Sequence, residues 1–160
     1  MPTSTQDIYN YRRVNDTLIT GGQPTAEQLQ AAADEGVATV INLATGNQRE
    51  PSLDEAGLVR SLGMQYYHIP VAWDNPTAAD FLEFERVMAE AEGKTLLHCA
   101  ANFRVTAFYS LYALKRLGWS EAEADAFRAS VWRGSDYPVW EAFVEQMKSD
   151  IQGDRAAPPQ

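Results

Sequence analysis

Short apolar runs alternate with amphipathic stretches along this chain, and most boundaries carry turn residues. Around Asn15 and Asp16, whose side chains favour turns, Tyr9 to Thr20 predicts two short strands. GGQPT then breaks the pattern. Thr25 with Gln28 three positions on predicts a capped helix through Leu29, Ala32 and Ala33 to Gly36. VATVINL, residues 37–43, is nearly all apolar and β-branched, as a buried parallel strand is. Pro51 suits the first turn of a helix reaching about Leu62, and Met64 to Pro70 reads as the next strand.

The second half continues the alternation. Thr77 with Asp80 predicts a helix through Phe81, Phe84 and Met88 to about Ala91, followed by a short buried strand from Lys94 to His98. A strong helix is expected from Val105 to Leu117. Another opens at Ser120 with Glu123 and runs to about Val131, and a last one spans about Val139 to Ile151. Strands alternating with helices predict an α/β fold, a central, mostly parallel sheet flanked by helices. One domain is expected over residues 1–152, with a disordered tail over 153–160.

Charge and composition narrow the function. The 160 residues carry a formal net charge of −9, a field that repels phosphate backbones and argues against nucleic-acid or anionic-membrane partners. Any anion site is therefore a local pocket. No apolar run reaches the roughly 20 residues of a membrane span, and the N-terminus has no signal-peptide core. The single cysteine forms no internal disulfide, so a cytoplasmic setting is expected. Two histidines and one cysteine, far apart, offer no metal-ligand spacing, and no cofactor is implied.

That cysteine, Cys99, stands in LLHCAANFRVT, between a strand and a helix. Such a junction lies at the C-terminal edge of a parallel sheet, where α/β proteins place ligands. The first amides of the helix lack intrahelical acceptors and sit at the positive end of its dipole. A thiol there, beside the guanidinium of Arg104, is a better acid than free cysteine. Its thiolate could attack an electrophile whose oxygens rest on the loop amides and the planar arginine fork. The expected anion-contacting residues are His98, Ala100, Ala101, Asn102, Phe103 and Arg104. For His98 two readings stand: a hydrogen bond into the loop, or a satisfied core imidazole.

LLHCAANFRVT resembles the VHCxxGxxRS signature of cysteine-dependent tyrosine and dual-specificity phosphatases. The wider pattern TLITGGQPTAEQL, VATVINL and YYHIPVAWDNPT is similar to a bacterial group of dual-specificity-phosphatase-like domains, over about residues 18–148. The resemblance implies a phosphotyrosine-phosphatase-like fold and a phosphorylated substrate, with Cys99 as nucleophile, Arg104 as phosphate-binding arginine and Asp74 as general acid. A carboxylic acid near the leaving oxygen suits phosphoester cleavage, whereas Asp80 fits a helix-capping role.

The pattern also departs from that family. Four residues separate Cys99 from Arg104 where the signature has five, Asn102 stands where glycine is usual, and Val105 replaces the following Ser or Thr. Asparagine tolerates φ > 0, so a left-handed turn is still feasible. A six-residue loop is the length of rhodanese-type sulfurtransferases, which carry a persulfide on the cysteine. Three functions are thus expected in order: a phosphatase working through phosphocysteine, a sulfurtransferase, and a phosphate-binding module with weak turnover. Trp119, Trp132, Trp140, Phe127, Tyr137 and Phe143 read as helix core; Asn47, Arg49, Arg133 and Asp136 are weaker candidates for the pocket rim.

Overall fold

The structure is a computed structural model that describes residues 3–46, 49–132 and 136–156, with side chains through residue 153. Five strands form one sheet: β1 (Arg12–Asn15), β2 (Leu18–Gly21), β3 (Val37–Asn42), β4 (Gln65–His68) and β5 (Lys94–His98), in the order β1-β2-β5-β3-β4. Only β1 is antiparallel to its neighbour; β2, β5, β3 and β4 run parallel. The α/β, mostly parallel architecture expected from the sequence is therefore the one observed.

Six helices complete the described residues: α1 (Ala26–Asp34), α2 (Glu55–Ser61), α3 (Ala78–Glu90), α4 (Phe103–Arg116), α5 (Glu121–Ala129) and α6 (Pro138–Ala156). Thr25, Thr77 and Ser120 each form the expected capping box, with Gln28, Asp80 and Glu123 returning the bond. Gly36, at φ 93°, follows α1 as a left-handed stop. Helix α2 departs from expectation. It starts at Glu55 because Asp54, not Pro51, accepts from a first-turn amide, that of Gly57. At the C-terminus α6 continues to Ala156, beyond the predicted Ile151, into the segment expected as a disordered tail; residues 157–160 lie outside the described residues.

Side chains alternate across each strand, so the sheet divides the core in two. Leu18, Ile41 and Leu97 face α3 to α6, packing with Phe81, Phe84, Phe108, Leu111, Trp140 and Val144. Ile19, Val40 and Leu96 face α1 and α2, with Leu29, Ala32 and Val59. Each buried valine, leucine, isoleucine or phenylalanine among them contributes about 1.5–3 kcal/mol over an exposed one. Among the described residues no helix is long and apolar enough to cross a membrane.

The topology places the site. β2 and β3 send α1 and α2 to one face, while β5, between them, sends α4 to the other. Helices diverging from adjacent parallel strands open a crevice at the strands' C-terminal ends. Gly21, His98, Asn42 and His68 stand in register at that edge. The chain enters the loop of Cys99 directly from this row.

Candidate active site

The loop is shaped from outside, carbonyl by carbonyl. Ala100 O accepts from the Gln23 amide at 3.0 Å, Ala101 O accepts from Asn10 Nδ2 at 2.9 Å, and the Cys99 carbonyl lies 3.3 Å from His98 Nδ1. Across a trans peptide the next N–H points the opposite way. The amides of Ala100 and Ala101 therefore point opposite to the Cys99 and Ala100 carbonyls, and both residues line the cleft. GGQPT serves this approach: a Cβ on Gly22 would stand 2.6 Å from the Ala100 carbonyl oxygen, so only glycine lets the segment after β2 lie against the loop.

Asn102 is the N-cap of α4, in the left-handed conformation with φ 68° and ψ 9°. Its side chain makes no cap bond; Nδ2 instead donates to the Asn10 carbonyl (2.9 Å) and to Thr20 Oγ1 (3.0 Å). The first amides of α4 are thus left without a side-chain acceptor and without any acidic residue in the first turn. Thr106, in place of the hydroxyl usual directly after the arginine, donates to the Asn102 carbonyl (2.8 Å) and accepts from Trp132 Nε1 (2.9 Å).

A cleft of about 590 Å³ opens above the loop, lined by Thr45, Gly46, Trp73, Cys99, Ala100, Ala101, Phe103, Arg104 and Tyr137. Cys99 is 1% exposed at its floor. Arg104, the second residue of α4, is buried and tied by one N–H to the Val71 carbonyl at 2.9 Å. Four of the expected anion-contacting residues therefore share the cleft with Cys99. The other two, His98 and Asn102, are wholly buried and do not line it. Asp74 lies exposed on the turn after Trp73, beside the cleft but not among its lining residues.

Two further groups carry no signature in the sequence. Glu55, buried at the start of α2, accepts from His98 Nε2 at 2.6 Å and from Gln23 Nε2 at 2.7 Å. Burial alone would raise the Glu55 carboxyl. The attraction of His98, with hydrogen bonds from His98, Gln23 and Tyr66, outweighs it and holds the group below the usual carboxylate range. His98 Nε2 thus faces a carboxylate acceptor, as a hydrogen-bonded core imidazole does.

The other group is aromatic. Trp73 packs 5.1–6.0 Å, centroid to centroid, from Phe103, Trp132, Tyr137 and Trp140, and its carbonyl accepts from Trp140 Nε1 at 2.7 Å. Phe103 stacks on Trp132 at 4.9 Å. Of the aromatics read as helix core, Tyr137 lines the cleft, while Trp132 and Trp140 pack against Trp73, which also lines it. Asp80 caps α3 as expected, and Arg49 lies over the Tyr9 ring, in a smaller cleft with Gln23 and Thr25. Asp136 is exposed next to Tyr137; Asn47 and Arg133 lie outside the described residues.

The chain and its fold are similar to those of known proteins. Residues 2–137 match a family profile described as a DSP-PTPase phosphatase fused to NAD+ kinase. The fold superposes on that of a Shewanella putrefaciens protein, described as a candidate phosphatase of the DUF442 group, with a TM-score of 0.81. The two are 30% identical, over 91% of this chain and 92% of the other. TpbA of P. aeruginosa shares the fold at a TM-score of 0.71 and 23% identity, over 91% of this chain and 88% of TpbA. A Beta-lactamase hydrolase-like protein of Xylella fastidiosa (strain 9a5c) is 29% identical over 87% of this chain, which spans only 36% of that relative's length.

Proposed function

The chain belongs to this family of DSP-PTPase-like phosphatase domains, and on that premise we propose that it is a cysteine-dependent hydrolase of phosphate monoesters. One observation carries the reading: Cys99 and Arg104 line a single cleft at a helix start whose amides no side chain caps. The Cys99 thiolate attacks phosphorus in line with the leaving oxygen. The P–O bond breaks, and that oxygen takes a proton from Asp74. Loop amides and the Arg104 guanidinium hold the non-bridging oxygens as charge develops. Water then attacks the phosphocysteine with Asp74 accepting its proton, the S–P bond breaks, and thiolate and phosphate are released.

Asp74 stands on the turn that Trp73 anchors, an arrangement consistent with this role. One free cysteine supports a cytoplasmic setting, and the bacterial relatives support a bacterial one. Hydrolysis of an aryl phosphate in the presence of EDTA tests the mechanism, with Cys99→Ser expected to abolish it. Full activity in that variant would sink the proposal.

The loop itself favours a second reading. With four residues between cysteine and arginine, and Asn102 turned away from the cleft, the cradle is smaller than the signature implies. A thiolate there could attack the outer sulfur of thiosulfate, release sulfite and pass the persulfide sulfur to cyanide. Inserting a glycine after Asn102 separates the two. A phosphatase with an undersized cradle gains aryl-phosphatase activity and shows negligible sulfur transfer in either form. A sulfurtransferase transfers sulfur efficiently as it is and loses that activity on insertion.

A further inference from the structure

Among the described residues, two besides glycine have a left-handed backbone: Asn10 (φ 54°) and Asn102 (φ 68°). They clasp each other across 92 positions of sequence. Asn102 Nδ2 donates to the Asn10 carbonyl at 2.9 Å, while Asn10 Nδ2 donates to the Ala101 carbonyl at 2.9 Å. A left-handed backbone costs a residue with a side chain about 1–2 kcal/mol, and persists where its surroundings over-determine it. Here each asparagine's side-chain amide supplies a bond to the backbone at or next to the other.

Asn10 lies between a short 3₁₀ turn (Thr5–Asp7) and β1, outside every element and outside the cysteine motif. Its amide bond fixes the peptide plane joining Ala101 to Asn102. That plane and the left-handed turn at Asn102 together set the direction in which the amides of Phe103 and Arg104 leave the loop. We propose that Asn10 is a positioning residue for the anion cradle: its side chain holds the 101–102 peptide so that the amides starting α4 converge on the group at Cys99. This rests on reading the loop as an oxyanion cradle, a requirement common to phosphoryl and sulfur transfer. Asn10 itself touches neither substrate nor sulfur.

Asn10→Gly is the sharpest test, because glycine keeps the positive φ and the carbonyl that Asn102 uses, and removes only the amide donor. In the full chain, kcat for an aryl phosphate should fall about 10- to 100-fold, the scale of a small misplacement of catalytic groups. The inorganic phosphate concentration that halves alkylation of Cys99 by iodoacetamide should rise about as much, with Tm close to wild type. Asn10→Asp, which loses the donor and sets a carboxylate against the Ala101 carbonyl, should show at least the same losses.

Wild-type kcat and phosphate protection in both variants would overturn the proposal. So would a collapse of Tm in step with both losses, which would make Asn10 part of the fold alone. Absence of phosphate protection in the wild type would remove the cradle and the proposal with it. If the wild type hydrolyses no aryl phosphate yet phosphate still protects Cys99, the phosphatase reading fails while the protection comparison still judges Asn10.

Discussion

Helices α3 and α4 begin in opposite ways. At α3 the hydroxyl of Thr77 accepts from the Asp80 amide at 3.1 Å and Asp80 returns a bond at 3.1 Å, a local closure that leaves the helix start occupied. At α4 the N-cap side chain turns away to Asn10 and Thr20, a left-handed backbone is accepted, and an arginine occupies the first turn. The first start serves stability through residues three apart. The second gives up local stability to leave donors for a ligand, and long-range bonds hold it in place. Helix α2 falls between. Asp54 caps it, which frees Glu55 in its first turn to reach His98 behind the cysteine.

The largest expected effect breaks the contrast at its cation. Arg104→Lys keeps the charge but loses the fork, and Arg104→Ala loses both. Each should lower kcat/KM for an aryl phosphate, alanine by on the order of 10²–10³, the scale of a lost oxyanion donor. Retention of activity in Arg104→Ala would detach the guanidinium from the reaction.

Next comes the cap itself. Asn102→Ala forces alanine into a left-handed backbone and removes one buried and one part-buried hydrogen bond, for a loss of about 3 kcal/mol in urea unfolding. Activity should fall with it, because the turn aims the amides. Stability within 1 kcal/mol of wild type would show that the long-range bonds do not hold this helix start.

Glu55→Gln probes the intermediate case, with an expected loss of about 2 kcal/mol at pH 7. The folded carboxyl sits below its unfolded range, so its stabilisation is present above the unfolded value of about 4.3 and lost as pH falls through the lower folded value. The difference between wild type and variant should therefore shrink in acid. Equal differences at pH 7 and pH 3, followed by urea melts, would contradict a Glu55 carboxylate held ionised by its hydrogen bonds.

The smallest effect belongs to the locally closed start. Thr77→Ala should cost about 1 kcal/mol and leave kcat unchanged. A fall in kcat would mean that α3 takes part in shaping the cleft.

The contrast also explains what could be read in advance. Capping boxes at Thr25, Thr77 and Ser120, the strand from Lys94 to His98, and the spacing of Cys99 and Arg104 all depend on residues within a turn or a strand of each other. Pro51 misled because proline fits a first helical turn in general, whereas Asp54 had the side chain that could accept from the helix. Glu55, Asn10 and the packing of Trp73 on Tyr137 over the cleft gave no local sign.

By itself the sequence determined an α/β chain with its cysteine and arginine delivered to one loop between a strand and a helix. Hydrophobic period, β-branching and caps are short-range physics, and each acts over a few residues. Tertiary structure decided which loop residues face the cleft, which carboxylate backs His98, and what holds Asn102 in a left-handed turn. Those outcomes require peptide planes and side chains 32 to 92 positions apart to meet at one sheet edge, from Gln23 with Glu55 to Asn10 with Asn102. Only the strand order, with β5 between β2 and β3, brings them there.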